Sequence, residues 1–232
     1  MDAPALMALH IDALFLLDAE HRLLAVNEPD PPPAPRLYLG RTRSGNTWRF
    51  RHDLPDEIVR TLAPLLRAEP IAPDLAQPPH CLPALHAILS RHAPVTETAT
   101  GPAWHFPDHI PTPGHDVIAI TLTNADLIRP IFPTLAADLP HRLPCMAILH
   151  DGRLASLCFS SRNTPHAAEA GLETLEPFRG RGYAPAAAAA WSRAVRAQGR
   201  TPLYSTAWDN LPSRAVARKL GLILYGADLT IA

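Results

Sequence analysis

The chain has 232 residues, 21 basic against 22 acidic side chains, a formal net charge of −1 and 47% hydrophobic content. That balance describes a globular protein of one medium or two small domains and excludes the basic footprint of a nucleic-acid binder. Its three cysteines (Cys81, Cys145, Cys158) are odd in number and lack C-x-x-C spacing, which excludes a disulfide framework or a cysteine-based zinc site and points to a reducing compartment.

The N-terminus has Asp2, no basic leader, and an apolar run broken by His10, Asp12 and Asp18. Neither a signal peptide nor a membrane span is expected there, and the reading is a cytoplasmic protein. Proline is abundant at 27 residues, which predicts short elements and rigid connections. Pro4 to Leu17 carries a helical stripe at Leu6, Leu9, Ala13, Leu16 and Leu17. Arg22 to Val26 reads as a short strand, and Asn27 to Pro35 as a loop. Leu37–Thr42 and Thr47–Arg51 flank Ser44-Gly-Asn46 as a hairpin. Asp53 followed by Pro55-Asp-Glu opens a helix that Pro64 should end or kink. Glu69 to His80 reads as a long loop and Cys81 to Ser90 as a second amphipathic helix. Residues 1–92 therefore form a small α+β unit without a chemical motif, and 93–116 a proline-rich connection. The histidines near that connection (His92, His105, His109, His115) fit no common ligand spacing, and prolines 102, 107, 111 and 113 exclude a helix that would align them. They read as surface histidines, with no metal site expected.

From 117 onward the pattern tightens. Val117–Leu122 is a strand, and Asn124 caps a helix that Pro130 and Pro133 break into two short pieces. Cys145–His150 and Arg153–Ser160 are apolar strands joined by Asp151-Gly152, the strongest short-range hairpin signal in the chain. A further strand covers Ala170 to Leu175 and stops at Glu176-Pro177. Arg179-Gly-Arg-Gly follows, and Pro185 suits the first turn of the next helix. Its glycines allow positive φ, the free N–H groups of the helix start carry the positive end of the dipole, and two arginines add charge. The first functional reading is a phosphate cradle; a plain Gly-rich αβ turn with surface arginines is the structural alternative. The dinucleotide fingerprint is excluded by Pro185, and a P-loop by the lack of Gly-Lys-Ser/Thr. What is present is R-x-x-G-x-A, from Arg179 to Ala184. The helix has apolar positions at Ala187, Ala188, Trp191, Ala194, Val195 and Gln198, with Gly199 as its stop. Leu203–Trp208 is the next strand, Asp209-Asn210 a turn, Pro212-Ser213 the opening of a short helix ending at Lys219-Leu-Gly221, and Leu222 to Ile231 the last strand.

The strand from Gly171 to Leu175, the R-x-x-G-x-A loop, the helix behind it, Asn210 and Ser213 three apart, and Arg218-Lys-Leu-Gly-Leu222 together resemble the GNAT superfamily of acyl-CoA-dependent N-acetyltransferases. The resemblance covers residues 115 to 232, about half the chain. It implies an α/β (α+β) fold, a mixed, mostly antiparallel sheet with helices on both faces over 117–232, beside the N-terminal unit. It implies acetyl-CoA as co-substrate, an amine acceptor and no metal. Nucleic acid and membrane are not expected as partners, and a homodimer is left open.

By the same resemblance, the backbone edge from Glu173 through Thr174 to Leu175 pairs with pantetheine and supplies an oxyanion donor. Arg179, Gly180, Arg181, Gly182, Tyr183 and Ala184 hold the pyrophosphate, and Asn210 and Ser213 match positions that bond the cofactor. Glu173 is the candidate general base; Glu169 lies about 13 Å away at roughly 3.3 Å per residue, and His166 or a water chain is an alternative. The family's usual acid, a tyrosine seven residues after the asparagine, is replaced by Ala217. Tyr204, on the neighbouring strand, is the substitute candidate. Asparagine in a turn and serine at a helix start also have structural uses. Three classes stay open: an N-acyltransferase, a catalytically degenerate acyl-CoA sensor or interaction module, and another phosphate-binding protein using the same cradle. The acceptor is not named by these residues.

Overall fold

The structure, a computed structural model, describes residues 1–110 and 114–232. In chain order it contains α1 (Ala3–Leu14), β1 (Phe15–Leu17), β2 (Leu23–Val26), β3 (Leu37–Thr42), β4 (Gly45–Phe50), α2 (Asp56–Ala68), α3 (Leu82–His92), β5 (Thr98–His105), β6 (Ile118–Ile120), α4 (Pro133–Ala137), α5 (Leu139–Arg142), β7 (Cys145–His150), β8 (Arg153–Asn163), β9 (Ala167–Thr174), α6 (Tyr183–Ala197), β10 (Thr201–Ser205), α7 (Leu211–Lys219) and β11 (Ile223–Ile231). Two compact units divide the chain: 1–104 with 205–210 and 224–232, and 105–204 with 211–223. No helix among the described residues is long and apolar enough to cross a membrane.

In the first unit the strand order is β4-β3-β11-β5, with β3 antiparallel to both β4 and β11. Its core joins Leu37, Leu39, Leu229 and Ile231 of the sheet to Leu62 and Leu66 of α2 and to Leu85, Ile88 and Leu89 of α3. Asp2 caps α1 through the Ala5 N–H, 2.9 Å away. The helix ends at Leu14, and Phe15–Leu17 pairs with Leu23–Val26 instead of extending it. Leu16 and Leu17 therefore belong to a strand, because the antiparallel partner satisfies backbone groups that another helical turn would have left at the surface. Pro64 lies inside α2 and the helix runs on to Ala68; Asp53 does not cap it but accepts from Arg51 Nε at 2.6 Å, and this bond lowers the Asp53 carboxyl below its usual range. The proline-rich stretch 93–116 contains a strand, β5, while Pro111 and Pro113 lie outside the described residues.

Loops in this unit are held by buried charge. Arg36, 3% exposed, donates to the carbonyls of Leu89, Ala93, Pro94 and Ala232 at 3.0–3.1 Å. Arg41 donates to Leu75 and Gln77, and the Glu69 carboxylate accepts the N–H groups of His80 and Cys81 at the start of α3. Each cation thereby exchanges water for several carbonyls, the condition under which a buried charge is tolerated.

The second unit has the order β10-β9-β8-β7-β6. All its ladders are antiparallel except β9 with β10, which is parallel. The Asp151-Gly152 turn has both residues at positive φ, 49° and 72°, the geometry that matches a two-residue loop to strand twist. One face carries Ile120, Cys145, Ala147 and Leu157, packed with Ala136 of α4 and Leu139 of α5. The other receives α6, whose Trp191 is fully buried and donates Nε1–H to Ser160 Oγ at 3.1 Å. Alanines 186–189 are fully buried on α6, so the helix backbone lies close against the strands. Gln198, placed on this stripe from sequence, is exposed. Asn124 is the N-cap residue of a 3-10 turn, Ala125–Leu127, that precedes α4 and α5, but its side chain does not cap it and instead bonds the Thr121 N–H and the Ala119 carbonyl. The expected mixed, mostly antiparallel α/β fold with helices on both faces is the fold observed.

Candidate functional site

β9 and β10 run together for only three residue pairs, Ala167 with Thr201, Ala168 with Pro202 and Glu169 with Leu203. On its other side β9 pairs with β8 as far as Thr174 opposite Ser156. Beyond Glu169, then, the β9–β10 ladder does not continue, and the two strands part. Leu175 N–H donates to the Ala155 carbonyl of β8 at 3.0 Å. Because successive residues of a strand direct their main-chain groups to opposite sides, Leu172 and Thr174 turn theirs to the open edge, and Glu173 and Leu175 turn theirs to β8. Thr174 confirms the alternation, since its carbonyl faces Arg179 Nε at 3.4 Å. Leu172 was absent from the sequence-derived set; its signal was the period-two alternation counted back from the loop.

The strand ends in a 3-10 turn, Glu176–Phe178, and Arg179 to Gly182 lead into α6. Gly180 and Gly182 stand at φ 79° and 81°, the left-handed region that side chains with Cβ avoid. Gly182 is the N-cap of α6 and offers no side-chain cap, so the opening N–H groups of a 15-residue helix are left for an external acceptor. Pro185 is the third helical residue, where its missing N–H costs nothing. Arg179 and Arg181 are exposed, the latter 5.9 Å over the Phe178 ring. Tyr183 is buried and its hydroxyl meets His150 Nδ1 at 2.8 Å. Ala184 is half-buried in the first turn. The parts of this cradle expected from sequence are therefore contiguous, and they abut the open edge of β9.

The acid–base candidates are placed less uniformly. Glu173 is exposed on β9, and its carbonyl accepts from Ser156 Oγ at 2.8 Å. Glu169 is buried at 2% exposure and stands opposite Arg162 in the β8–β9 ladder. Tyr204 is 2% exposed, and its hydroxyl lies 2.5 Å from Ser213 Oγ. Burial raises the Tyr204 hydroxyl well above the usual phenol range, more than the Ser213 bond lowers it. Ser213 is half-buried in the first turn of α7, so it and Tyr204 are brought together. Asn210 is exposed before α7 with its N–H on the Ala207 carbonyl at 3.1 Å. Ala217, where the resemblance calls for a tyrosine, is 1% exposed and packed in α7. Thr206 and Trp208, read from sequence as strand positions after Tyr204, lie beyond the end of β10 and donate instead to the Pro102 and Thr100 carbonyls. Among the described residues no group of three metal-ligating side chains is assembled, and the three cysteines are free and buried.

Residues 144–227 match the family model described as GNAT acetyltransferase. No curated protein matches the chain. Among solved structures, a GNAT-family protein of Novosphingobium aromaticivorans is similar at 20% identity and TM-score 0.48, covering 59% of this chain and 65% of that one. An acetyltransferase of the GNAT family from Colwellia psychrerythraea gives 14% and 0.46, over 62% of both chains. A GCN5-related N-acetyltransferase-like protein of Streptococcus suis gives 17% and 0.50, over 86% and 85%. The chain thus spans just under two-thirds of the length of the first two. The Streptococcus likeness, at its identity, shows a shared fold.

Proposed function

We propose that this chain, which carries a GNAT acetyltransferase domain over residues 144–227, transfers an acetyl group from acetyl-CoA to an amine by direct attack on the thioester. The observation that carries this reading is the three-pair ladder between β9 and β10 opening beside an uncapped helix start with two left-handed glycines. The pyrophosphate takes the N–H groups of Tyr183 and Ala184, with Arg179 and Arg181 neutralising its charge. Pantetheine adds to the open edge of β9 as an extra strand through Leu172 and Thr174. By the resemblance, Asn210 and Ser213 are read as further cofactor partners.

The amine nitrogen attacks the thioester carbon, and the oxyanion that forms is met by a main-chain N–H of the same edge. A donor so placed lowers acyl-transfer barriers by about 3 kcal/mol in other enzymes. Glu173, exposed on β9, takes the proton the amine loses, directly or through water. Collapse breaks the C–S bond and releases the thiolate. Tyr204 is a poor donor to it, since a phenol pushed upward by burial gives its proton less readily than the thiol it would form. The thiolate therefore leaves hydrogen-bonded and acquires its proton from water. We read the protein as cytoplasmic, a reading supported by its free cysteines.

The buried Tyr204 and the alanine at 217 favour one second reading, an acyl-CoA-binding sensor without turnover. Calorimetric titration with acetyl-CoA tests the shared part. Micromolar binding is expected in the parent protein and none in Gly182→Asp, whose carboxylate occupies the phosphate loop; no binding by a folded parent overturns both readings. Release of coenzyme A thiol across a panel of amines then separates enzyme from sensor.

A further inference from the structure

The loop Arg179–Gly182 is tied at its start by Arg179, whose N–H and Nε donate to the Glu176 and Thr174 carbonyls, and its two glycines bring no side chains to pack. Nothing lies within 4 Å of where a Cβ on Gly180 would stand, and both glycines at positive φ have many unfolded alternatives. A loop that must present N–H groups to a phosphate binds more weakly by whatever ordering it undergoes on binding. Contacts from outside the loop therefore bear on its geometry.

One side chain touches both flanks of this loop. His150 is the last residue of β7, beside the Asp151-Gly152 turn. Its ring centroid is 5.3 Å from that of Phe178, immediately before Arg179, and 6.0 Å from that of Tyr183, immediately after Gly182. Its Nδ1 lies 2.8 Å from the Tyr183 hydroxyl. With that hydroxyl as donor, the neutral imidazole carries its proton on Nε2, which faces the Asp151 carboxylate at 3.6 Å. Tyr183 is gripped on another side by the edge of His115, 4.9 Å between centroids. The phenol is thus committed to holding the helix start, and its contribution to the cofactor is by main chain.

We infer that His150 is a positioning residue for the coenzyme loop: from the β7–β8 hairpin it clamps Phe178 and Tyr183 and so fixes the spacing of the N–H groups between them. The inference rests on the acetyl-CoA reading above. It predicts a loss in coenzyme affinity without loss of turnover at saturating acetyl-CoA, because the residue touches neither the thioester nor the amine.

The test is the calorimetric affinity of acetyl-CoA for the parent, His150→Ala, His150→Asn, Tyr183→Phe and the double variant Tyr183→Phe/His150→Ala. Removing a hydrogen bond of ordinary strength changes an equilibrium by about fivefold, so Tyr183→Phe should weaken binding by about that factor, and His150→Ala by about tenfold. Asparagine puts a polar atom where Nδ1 stands and should recover affinity to within about threefold of the parent. The double variant should bind about as His150→Ala does, since the two residues act through one contact. Parent-like binding by His150→Ala, additive losses in the double variant, or asparagine as weak as alanine would overturn the inference. If His150→Ala does not fold, Tyr183→Phe decides alone, and unchanged affinity overturns it. A parent that binds no acetyl-CoA overturns the acetyl-CoA reading and this inference with it, whereas a binding parent with indifferent variants removes only the clamp.

Discussion

The two ends of the β9–β10 opening are built from different materials. At the proposed coenzyme end the recognising groups are main-chain, Leu172 and Thr174 for pantetheine and Tyr183 and Ala184 for the pyrophosphate, set by strand alternation, glycine conformation and a helix start. At the proposed proton-transfer end the groups are side chains, and there the chain departs from the pattern it resembles: Ala217 stands where the tyrosine is expected, Tyr204 is buried against Ser213, and Glu173 is exposed. Main-chain recognition survives substitution of side chains as long as the fold survives. Side-chain chemistry does not, so the second end is where members of one fold can diverge while keeping one cofactor.

The largest expected effect strikes the first end. Gly182→Asp should weaken acetyl-CoA by more than about hundredfold, as a carboxylate meets a phosphate and an aspartate is forced to φ 81°; retained binding would mean the cofactor does not use this loop. Glu173→Gln comes next and separates the ends. It should lower kcat/KM for the amine by about tenfold to hundredfold while leaving the affinity for acetyl-CoA within about twofold. A change in affinity instead would move Glu173 to the cofactor side of the comparison.

Tyr204→Phe is expected to be small, less than about threefold in kcat, because a phenol raised above its usual range by burial is too weak an acid to give up its proton readily. A hundredfold loss would restore it as the acid. Its pH signature is in stability. The folded hydroxyl titrates above the unfolded value of 10.0, so its contribution is fully present below pH 10 and lost as pH rises toward the folded value. Cys145 behaves alike: burial pushes its thiol up to about 12 from 9.0, so stability should begin to fall above pH 9. Urea midpoints between pH 8 and 11 check this. Tyr204→Phe should flatten the part of the loss above pH 10 and leave the part that begins near pH 9.

Local geometry carries most of what was legible in the sequence. Asp151-Gly152 announced its hairpin because few residues accept two successive positive φ values. The loop from Arg179 to Gly182 announced a helix start because glycine, then Pro185, permits little else. The polar identity of Glu173 and the absence of tyrosine at 217 were equally plain. Less legible were features that depend on a distant partner. Leu16 and Leu17 fit a helical stripe yet pair with β2, β5 lies in a stretch rich in proline, and Pro64 is carried inside α2 by packing of Leu62 and Leu66. The Tyr204–Ser213 contact joins residues from a strand and the following helix, and no periodicity in either reports it.

By itself the sequence determined the order of the main strands and helices over 117–232 and the glycine loop that opens α6, because turn chemistry and periodicity act over a few residues. Only the tertiary structure decided where β9 leaves β10, which of its main-chain groups face the opening, that Tyr204 is sealed from water, and that His150 lies against both flanks of the loop. Those outcomes depend on strand register and on burial, and both arise from contacts between segments far apart in the chain.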